Sequence, residues 1–437
     1  MDARPSAMSA TEAQGFTPQY RTYVLAILTM VYAVNYVDRQ ILSILLQPIK
    51  EELLLTDTQL GFISGIVFAI FYATLGIPIA MVADRSNRRN VITVAMTLFS
   101  GFTAACAGVT SFLQLAAMRI GVAVGEAGSS PPSHSMIADM YPPEKRGGAL
   151  GVFSLGVNIG ILIGFLLGGW VSQWFGWRAA FLVAGVPGLF LAVLVRMTVR
   201  EPLRGHAEAM VDSGNAPGVM EVFRFMWGQR SFRHLAFGGA LAAFVGYGAV
   251  VWLPAFLARS YSLDQATIGT SLALIIGISG GLGTYLGGWM GDRFGRHDVR
   301  WNLWCVVIIW VAIAPFNIAL YLSSDPIWAL GLFIVPAFAG AAYLAPMLSM
   351  TQSLVTLRMR SVASAILLFI LNIIGLGLGP QTVGFVSDLL RPQFGVESLR
   401  YALLFTSFVG LWGAFHIFMA TRTLKEDIER ARVYGQI

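Results

Sequence analysis

The sequence predicts an all-α polytopic membrane protein of twelve spans, arranged as two similar six-helix bundles. Three observations carry that expectation. Hydrophobic residues make up 56% of the 437-residue chain and charged residues only 12%, about half the charged share of an ordinary soluble domain; mean hydropathy is +0.69. The apolar residues fall in runs of roughly 20, the length a helix needs to cross a bilayer. A short basic pattern also recurs at corresponding places in the two halves.

Residues 1–19 are polar, with Pro, Ser, Thr and Gln, and read as a disordered tail without a cleavable signal. Spans are expected at 21–48, 58–83, 89–109, 112–138, 146–171 and 178–198. A polar stretch, 199–231, rich in Arg, Gly, Glu and Pro, reads as a linker. A second set follows at 234–258, 267–291, 302–322, 327–354, 361–388 and 399–421. The halves are thus 20–198 and 232–422, with 423–437 as a second tail. Cys106 and Cys305 fall inside spans and read as small core residues, with neither a disulfide framework nor metal spacing.

The charge distribution gives the orientation. Most of the 29 Lys and Arg lie in loops on the side of the two termini. The exceptions are Lys50, Arg178, Arg259, Arg391 and Arg400 on the other side, and Arg39 and Arg119 within spans. Basic loops stay in the cytoplasm, so both termini are expected there and the chain in a cell (inner) membrane. The same clustering argues that the net charge of +6 does not mark a nucleic-acid binder.

Four ionisable residues fall where hydrocarbon should be: Asp38 and Arg39 in span 1, Arg119 and Glu126 in span 4. A charge there costs several kcal/mol, so it is paired or faces a watery cavity. Asp38 and Arg119 lie at similar depths, given a rise of ~1.5 Å per residue. Arg119 and Glu126, seven apart, share one helix face, so a chain Asp38–Arg119–Glu126 is geometrically allowed. Asp38 and Glu126 are the proton-coupling candidates. Arg119 and Arg39 are candidates for an anionic substrate group, with Asn35, Tyr36 and Asn158 beside them. A static ion-pair network holding spans 1 and 4 together is the plainer reading.

Span 5 carries Gly156, Gly160, Gly164, Gly168 and Gly169, a stripe that lets another helix approach closely. The run "GISGGLG" at 277–283 reads the same way, not as a phosphate loop. The second half has no charge at depth. Its spans 7 and 10 offer Phe244, Tyr247, Trp252, Phe338, Tyr343 and Met347, and Asn158, Asn317 and Asn372 are available for hydrogen bonds. A charged wall facing an aromatic wall suits an amphipathic molecule.

The repeated pattern is "ADRSNRR" after span 2, with Asp84, Arg85, Arg88 and Arg89, and "GDRFGRH" after span 8, with Asp292, Arg293 and Arg296. A looser echo pairs "EKRGGALG" at Arg146 with "RMRSVASA" at Arg360. At these residues the chain resembles the major facilitator superfamily, whose signature between spans 2 and 3 and between 8 and 9 is G-x-x-x-D-R-x-G-R. The second copy is complete, with Gly288 and Gly295; the first has Ala80 and Asn87 in place of the glycines. "NYVDR" at 35–39, "DRSNRR" at 84–89 and "RIGVAVGEAG" at 119–128 are similar to the Spinster family, where an asparagine stands in the first loop motif. "GFLLGG" in span 5 is similar to the superfamily's antiporter motif but has Phe165 at the proline position.

The resemblance implies a major facilitator fold and a proton-coupled carrier of lysolipid- or sphingolipid-like molecules, working by rocker-switch alternating access. It needs no cofactor beyond a proton gradient and no metal, and a monomer is the default. It also implies that Asp84 caps span 11 when the cytoplasmic side is closed and that Asp292 acts likewise toward span 5, with Arg85, Arg88, Arg89, Arg146, Arg293, Arg296 and Arg360 around these gates. One rival is a carrier of a small organic anion such as a sugar acid, whose site would want polar groups in the second half too. Another is a non-transporting receptor, which would not need duplicated gate motifs. An intramembrane enzyme would need a nucleophile–base pair or metal ligands at depth, and the sequence offers none. An ATP-driven pump would need a Walker motif.

Overall fold

The computed structural model describes residues 16–202 and 218–434, without the side chains of Pro143, Asp292 and Leu357. The described part is helical throughout, and each boundary has a local cause. Helix α1 (Pro18–Leu53) opens where the Thr17 hydroxyl accepts from the Tyr20 N–H and closes at Leu54, in a left-handed conformation. A reciprocal cap between Thr56 and Gln59 starts α2 (Asp57–Arg85), which contains a π-helical turn at Ile63–Val67. Asn87 caps α3 (Arg88–Gly108).

The fourth expected span is broken. It consists of α4 (Phe112–Ala127) and α5 (Ser130–Met140), because Pro131 and Pro132 have no N–H to donate to the turn before them and sit instead in the first turn of a new helix. Spans 5 and 6 form one run, α6 (Pro143–Thr198), that reverses at Gly176, where φ is +79°. Only glycine adopts that conformation without strain.

After the stretch 203–217, outside the described residues, come α7 (Val219–Trp227) and α8 (Arg230–Tyr261). Next are α9 (Gln265–Gly295), with a π turn at Ala273–Ser279, and α10 (Trp301–Leu322). The rest is α11 (Pro326–Ser353), α12 (360–394, π turn at Asn372–Leu378) and α13 (398–434). Part of the expected linker is therefore helix α7. The expected tail from 423 is the end of α13, where Leu424 and Ala431 are buried. Lys425 and Arg300 both pair with Asp298, holding its carboxyl well below the usual carboxylate range and tying the α9–α10 loop to α13.

Eight helical runs among the described residues are long and apolar enough to cross a membrane. Two of them, Glu144–Thr198 and Arg360–Tyr434, double back on themselves at Gly176 and near Gly395. Helices α1 and α4, which hold the four buried charges, are not among the eight.

The core has a shape that matters for function. At the end of the molecule away from the termini, here the distal end, one hydrophobic cluster joins both halves, with Ile41, Leu60 and Phe165 beside Trp252, Leu272 and Val383. Toward the terminal end the core divides, one cluster centred on Phe99, Met136 and Phe153 and another on Phe232, Met347 and Leu367.

The glycine stripe of α6 lies on α1. A Cβ at Gly160 would stand 2.3 Å from the Ala33 carbonyl oxygen and 2.6 Å from Tyr36 Cβ, whereas one at Gly151 would meet nothing within 4 Å. Gly160→Leu is therefore expected to cost ~1–3 kcal/mol by overpacking, read as a lower melting temperature in detergent. Gly151→Leu on the same helix should leave the melt unchanged, and equal behaviour of the two would refute the close-packing assignment.

Candidate substrate cavity and its charged pairs

Two ion pairs, both between α1 and α4, hold the four intramembrane charges. Arg119 Nη1 donates to Asp38 Oδ2 at 2.7 Å, and both side chains are 2% exposed. The Thr103 hydroxyl of α3 donates to the other Asp38 oxygen. Arg39 Nε and Nη2 each lie 2.8 Å from Glu126 Oε2, while Glu126 Oε1 has no hydrogen-bond partner among the described residues. The chain Asp38–Arg119–Glu126 that the spacing allows is thus replaced by two separate pairs. Adjacent residues on a helix point about 100° apart, so Asp38 and Arg39 reach different partners.

Phe68 of α2 stands between the pairs, its ring centre 4.9 Å from the Arg39 guanidinium and 5.4 Å from that of Arg119. Tyr36 and Tyr72 close around Arg39 at 5.1 and 4.8 Å. The break after α4 also has a role. Ser129 in the break donates to the Glu126 carbonyl at 2.9 Å and accepts from Asn35 Nδ2 at 2.6 Å. Asn35, expected at the substrate, instead fastens α1 to the end of α4.

Between the halves is a cavity of about 340 Å³. From the first half, the substrate candidates Tyr36, Arg39, Arg119 and Asn158 line it, together with Gln40. Tyr247 and Tyr343 line it from the second half. Asp38 and Glu126 lie behind the arginines and are not in the wall. Phe244 is not in the wall either; its carbonyl packs against Gly379. Trp252 is buried with its indole donating to the Pro380 carbonyl at 2.8 Å, and Met347 packs on Gly239. In their place the cavity extends to α9 and α10, where Thr284, Trp310, Asn317 and Tyr321 contribute. The second wall is therefore mixed rather than simply apolar. The available signal was Asn317, an amide inside an otherwise apolar span.

A polar clamp that the sequence reading missed closes the distal end. Asp57, 1% exposed, accepts from Arg259 Nη1 and Nη2 at 2.7 and 2.8 Å, from Ser387 at 2.7 Å and from Lys50. Arg259 Nε also donates to Gln47 Oε1 at 2.6 Å. Asp388 of α12 caps the start of α2, accepting from the Asp57 N–H at 3.1 Å and the Thr58 N–H at 2.7 Å. The two halves also meet backbone to backbone: a Cβ at Gly169 would lie 2.5 Å from the Gln265 carbonyl oxygen, and one at Gly269 would lie 2.4 Å from that of Phe165.

The expected gate residues at the terminal end are differently placed. Asp84 and Arg85 are exposed, and Asp84 caps no helix among the described residues. Arg88 is not at a seam between halves. It is 1% exposed and binds Asp139 and Ser135 of the first half and, at the start of the linker, Glu201 and the Pro202 carbonyl. Arg89 donates its N–H to Glu201 at 2.9 Å, and Arg146 donates to the Ala138 carbonyl at 3.0 Å. Arg293, Arg296 and Arg360 are exposed, and the Asp292 side chain lies outside the described residues. His416 has Nδ1 3.0 Å from Nδ1 of His234.

Comparisons with known proteins agree with this architecture. Residues 28–380 match the family pattern described as "Major Facilitator Superfamily". Over 437 residues the chain is 35% identical to an "MFS-type efflux pump" of Mycolicibacterium smegmatis, covering 99% of this chain and 100% of that one. It is 27% identical over 281 residues to the "Hexuronate transporter" of Bacillus subtilis, covering 63% of this chain and 66% of the relative. Among solved structures, a bacterial homologue of the human lysosomal transporter Spinster, inward-facing and unoccupied, superposes with a TM-score of 0.86. Its sequence is 30% identical, and the match covers 94% of this chain and 99% of that one.

Proposed function

This chain belongs to the Major Facilitator Superfamily of secondary transporters, and on that premise we propose that it moves an amphipathic, lysolipid-like molecule in exchange for, or together with, protons. It is Spinster-like, a multi-pass membrane protein and not an enzyme. In the proposed reading six spans lie in each half, twelve in all, and the terminal face is cytoplasmic, as the basic loops favour.

The observation that carries the proposal is the asymmetry of the cavity. Two arginines stand in one wall with their carboxylates behind them, and most of the remaining surface is apolar or aromatic. An anionic head group entering beside Arg39 and Arg119 would compete with Glu126 and Asp38. The two pairs are neutral together, so an added anion leaves one uncompensated negative charge in a place where that is costly. A proton taken up by Glu126 or Asp38 restores neutrality, which couples head-group binding to protonation. Glu126 is the better placed for this, since one of its oxygens has no hydrogen-bond partner among the described residues. The distal clamp and the divided terminal core support a conformer open at the terminal face. In the opposite conformer, Asp84 would cap the start of α12 and Asp292 would act toward α6.

A second reading, transport of a small organic anion, is favoured by the polar groups of the second wall and by the hexuronate-transporting relative. Flux into proteoliposomes under an imposed pH gradient separates the two. Labelled lysophosphatidate, whose head group is anionic, is expected to move with the gradient, and Glu126→Gln to reduce the driven flux about 100-fold or more, the order seen for a lost proton-transfer group. Movement of labelled glucuronate alone would replace the lipid reading with the anion reading. Lipid flux indifferent to the gradient in wild type and variant would remove proton coupling.

A further inference from the structure

Helix α10 contains one residue that its composition does not explain. Asn317 sits in a 22-residue helix of strongly apolar sequence. In membrane spans an asparagine side chain normally hydrogen-bonds across helices, yet Asn317 has no such bond among the described residues. It lines the cavity and is partly exposed to it. Thr284, on α9, faces the same space; its hydroxyl hydrogen goes to the Gly280 carbonyl at 3.0 Å, leaving the oxygen free to accept. Asn158 of the first half is a second cavity amide, lying against Gly281. Tyr343, its ring edge-on to Trp310 at 5.9 Å, completes this part of the wall.

We propose that Asn317 and Thr284 form a hydroxyl-binding subsite in the second half, which selects substrates carrying a neutral hydroxyl beside the anionic head. This inference rests on the amphipathic-lipid reading above and narrows it. A carboxamide both donates and accepts, as a hydroxyl does, so one amide satisfies both needs of that group. A purely aliphatic segment placed there would leave the amide unpartnered, which is how a polar subsite rejects analogues lacking the group it binds. The arginines thus select for charge and the α9–α10 wall for the hydroxyl.

Two measurements test it. In a background with Cys106→Ala and Cys305→Ala, Asn317→Cys should react with a charged methanethiosulfonate reagent added at the terminal face, and lysophosphatidate should slow that reaction several-fold. Failure to label would overturn the subsite while leaving lipid transport standing. Second, wild type should bind lysophosphatidate roughly tenfold more tightly than the analogue lacking the glycerol hydroxyl, the size of one well-made hydrogen bond. Asn317→Leu, apolar and suited to its helix, should bring the ratio near one. A preference that survives Asn317→Leu, or none in wild type, refutes the subsite alone. Failure of wild type to bind either lipid, with labelling intact, refutes the lipid reading and the subsite together.

Discussion

Arg119→Gln is expected to destabilise the protein by about 3–5 kcal/mol and to abolish transport, because it strands Asp38 in a place closed to water. Asp38 is 2% exposed and would keep only the Thr103 hydroxyl. The double variant Asp38→Asn with Arg119→Gln is the informative partner. Removing both charges of a buried pair often costs little, whereas removing one leaves an uncompensated charge. The double variant should therefore recover most of the lost melting temperature. What it does to transport separates two roles. If the pair only braces α1 against α4, flux returns with stability. If Arg119 must meet the substrate, the double variant is stable and inactive, which is the outcome expected here. Recovery of both would reduce the pair to a structural tie.

Asp57→Ala should act on the conformational equilibrium instead of the substrate. The carboxylate joins Arg259 of the second half to Lys50 and α2 of the first, with Ser387 as a further donor from α12. Its removal leaves two cations facing each other, with Gln47 Oε1 the remaining side-chain acceptor for Arg259 across the halves. Breaking a desolvated charge pair of this kind costs about 2–5 kcal/mol, and each 1.4 kcal/mol is tenfold in a population ratio. The distal-closed conformer should thus lose at least roughly a factor of ten relative to the distal-open one. Spin labels at Leu54→Cys and Val396→Cys, both exposed distal loop positions, would report it. A single short distance in the otherwise wild-type protein should be joined by a longer population in the Asp57→Ala variant. An unchanged distribution would mean that the glycine-lined backbone contacts at Gly169 and Gly269 hold the distal end without the clamp.

Much of the site was legible before the fold was known, for a physical reason. A charged side chain within twenty apolar residues is conspicuous because its cost in hydrocarbon depends only on its depth along its own helix. Asp38, Arg39, Arg119 and Glu126 could therefore be singled out, and the structure brings all four together. The pairing was not legible. The seven-residue spacing of Arg119 and Glu126 places them on one face but does not say which α1 residue reaches each. Asn35 and Phe244 do not line the cavity, and helix position alone does not tell a wall from the layer behind it. Arg88 looked like a gate because it belongs to a loop motif, yet its partners are Asp139 of the same half and Glu201 at the start of the linker, both distant in the chain.

By itself the sequence determined the membrane class, the two-half repeat, the glycine face of α6 and the four charges at depth. These follow from local quantities: hydropathy, helical spacing and the cost of a charge in hydrocarbon. Only the tertiary structure decided that the charges form two separate pairs, that the cavity reaches α9 and α10, and that Asp57, Arg259 and Asp388 clamp the distal end. Those features join residues far apart in the chain. They depend on how closely the helix backbones approach and on which helix ends meet, and no spacing along one helix encodes either.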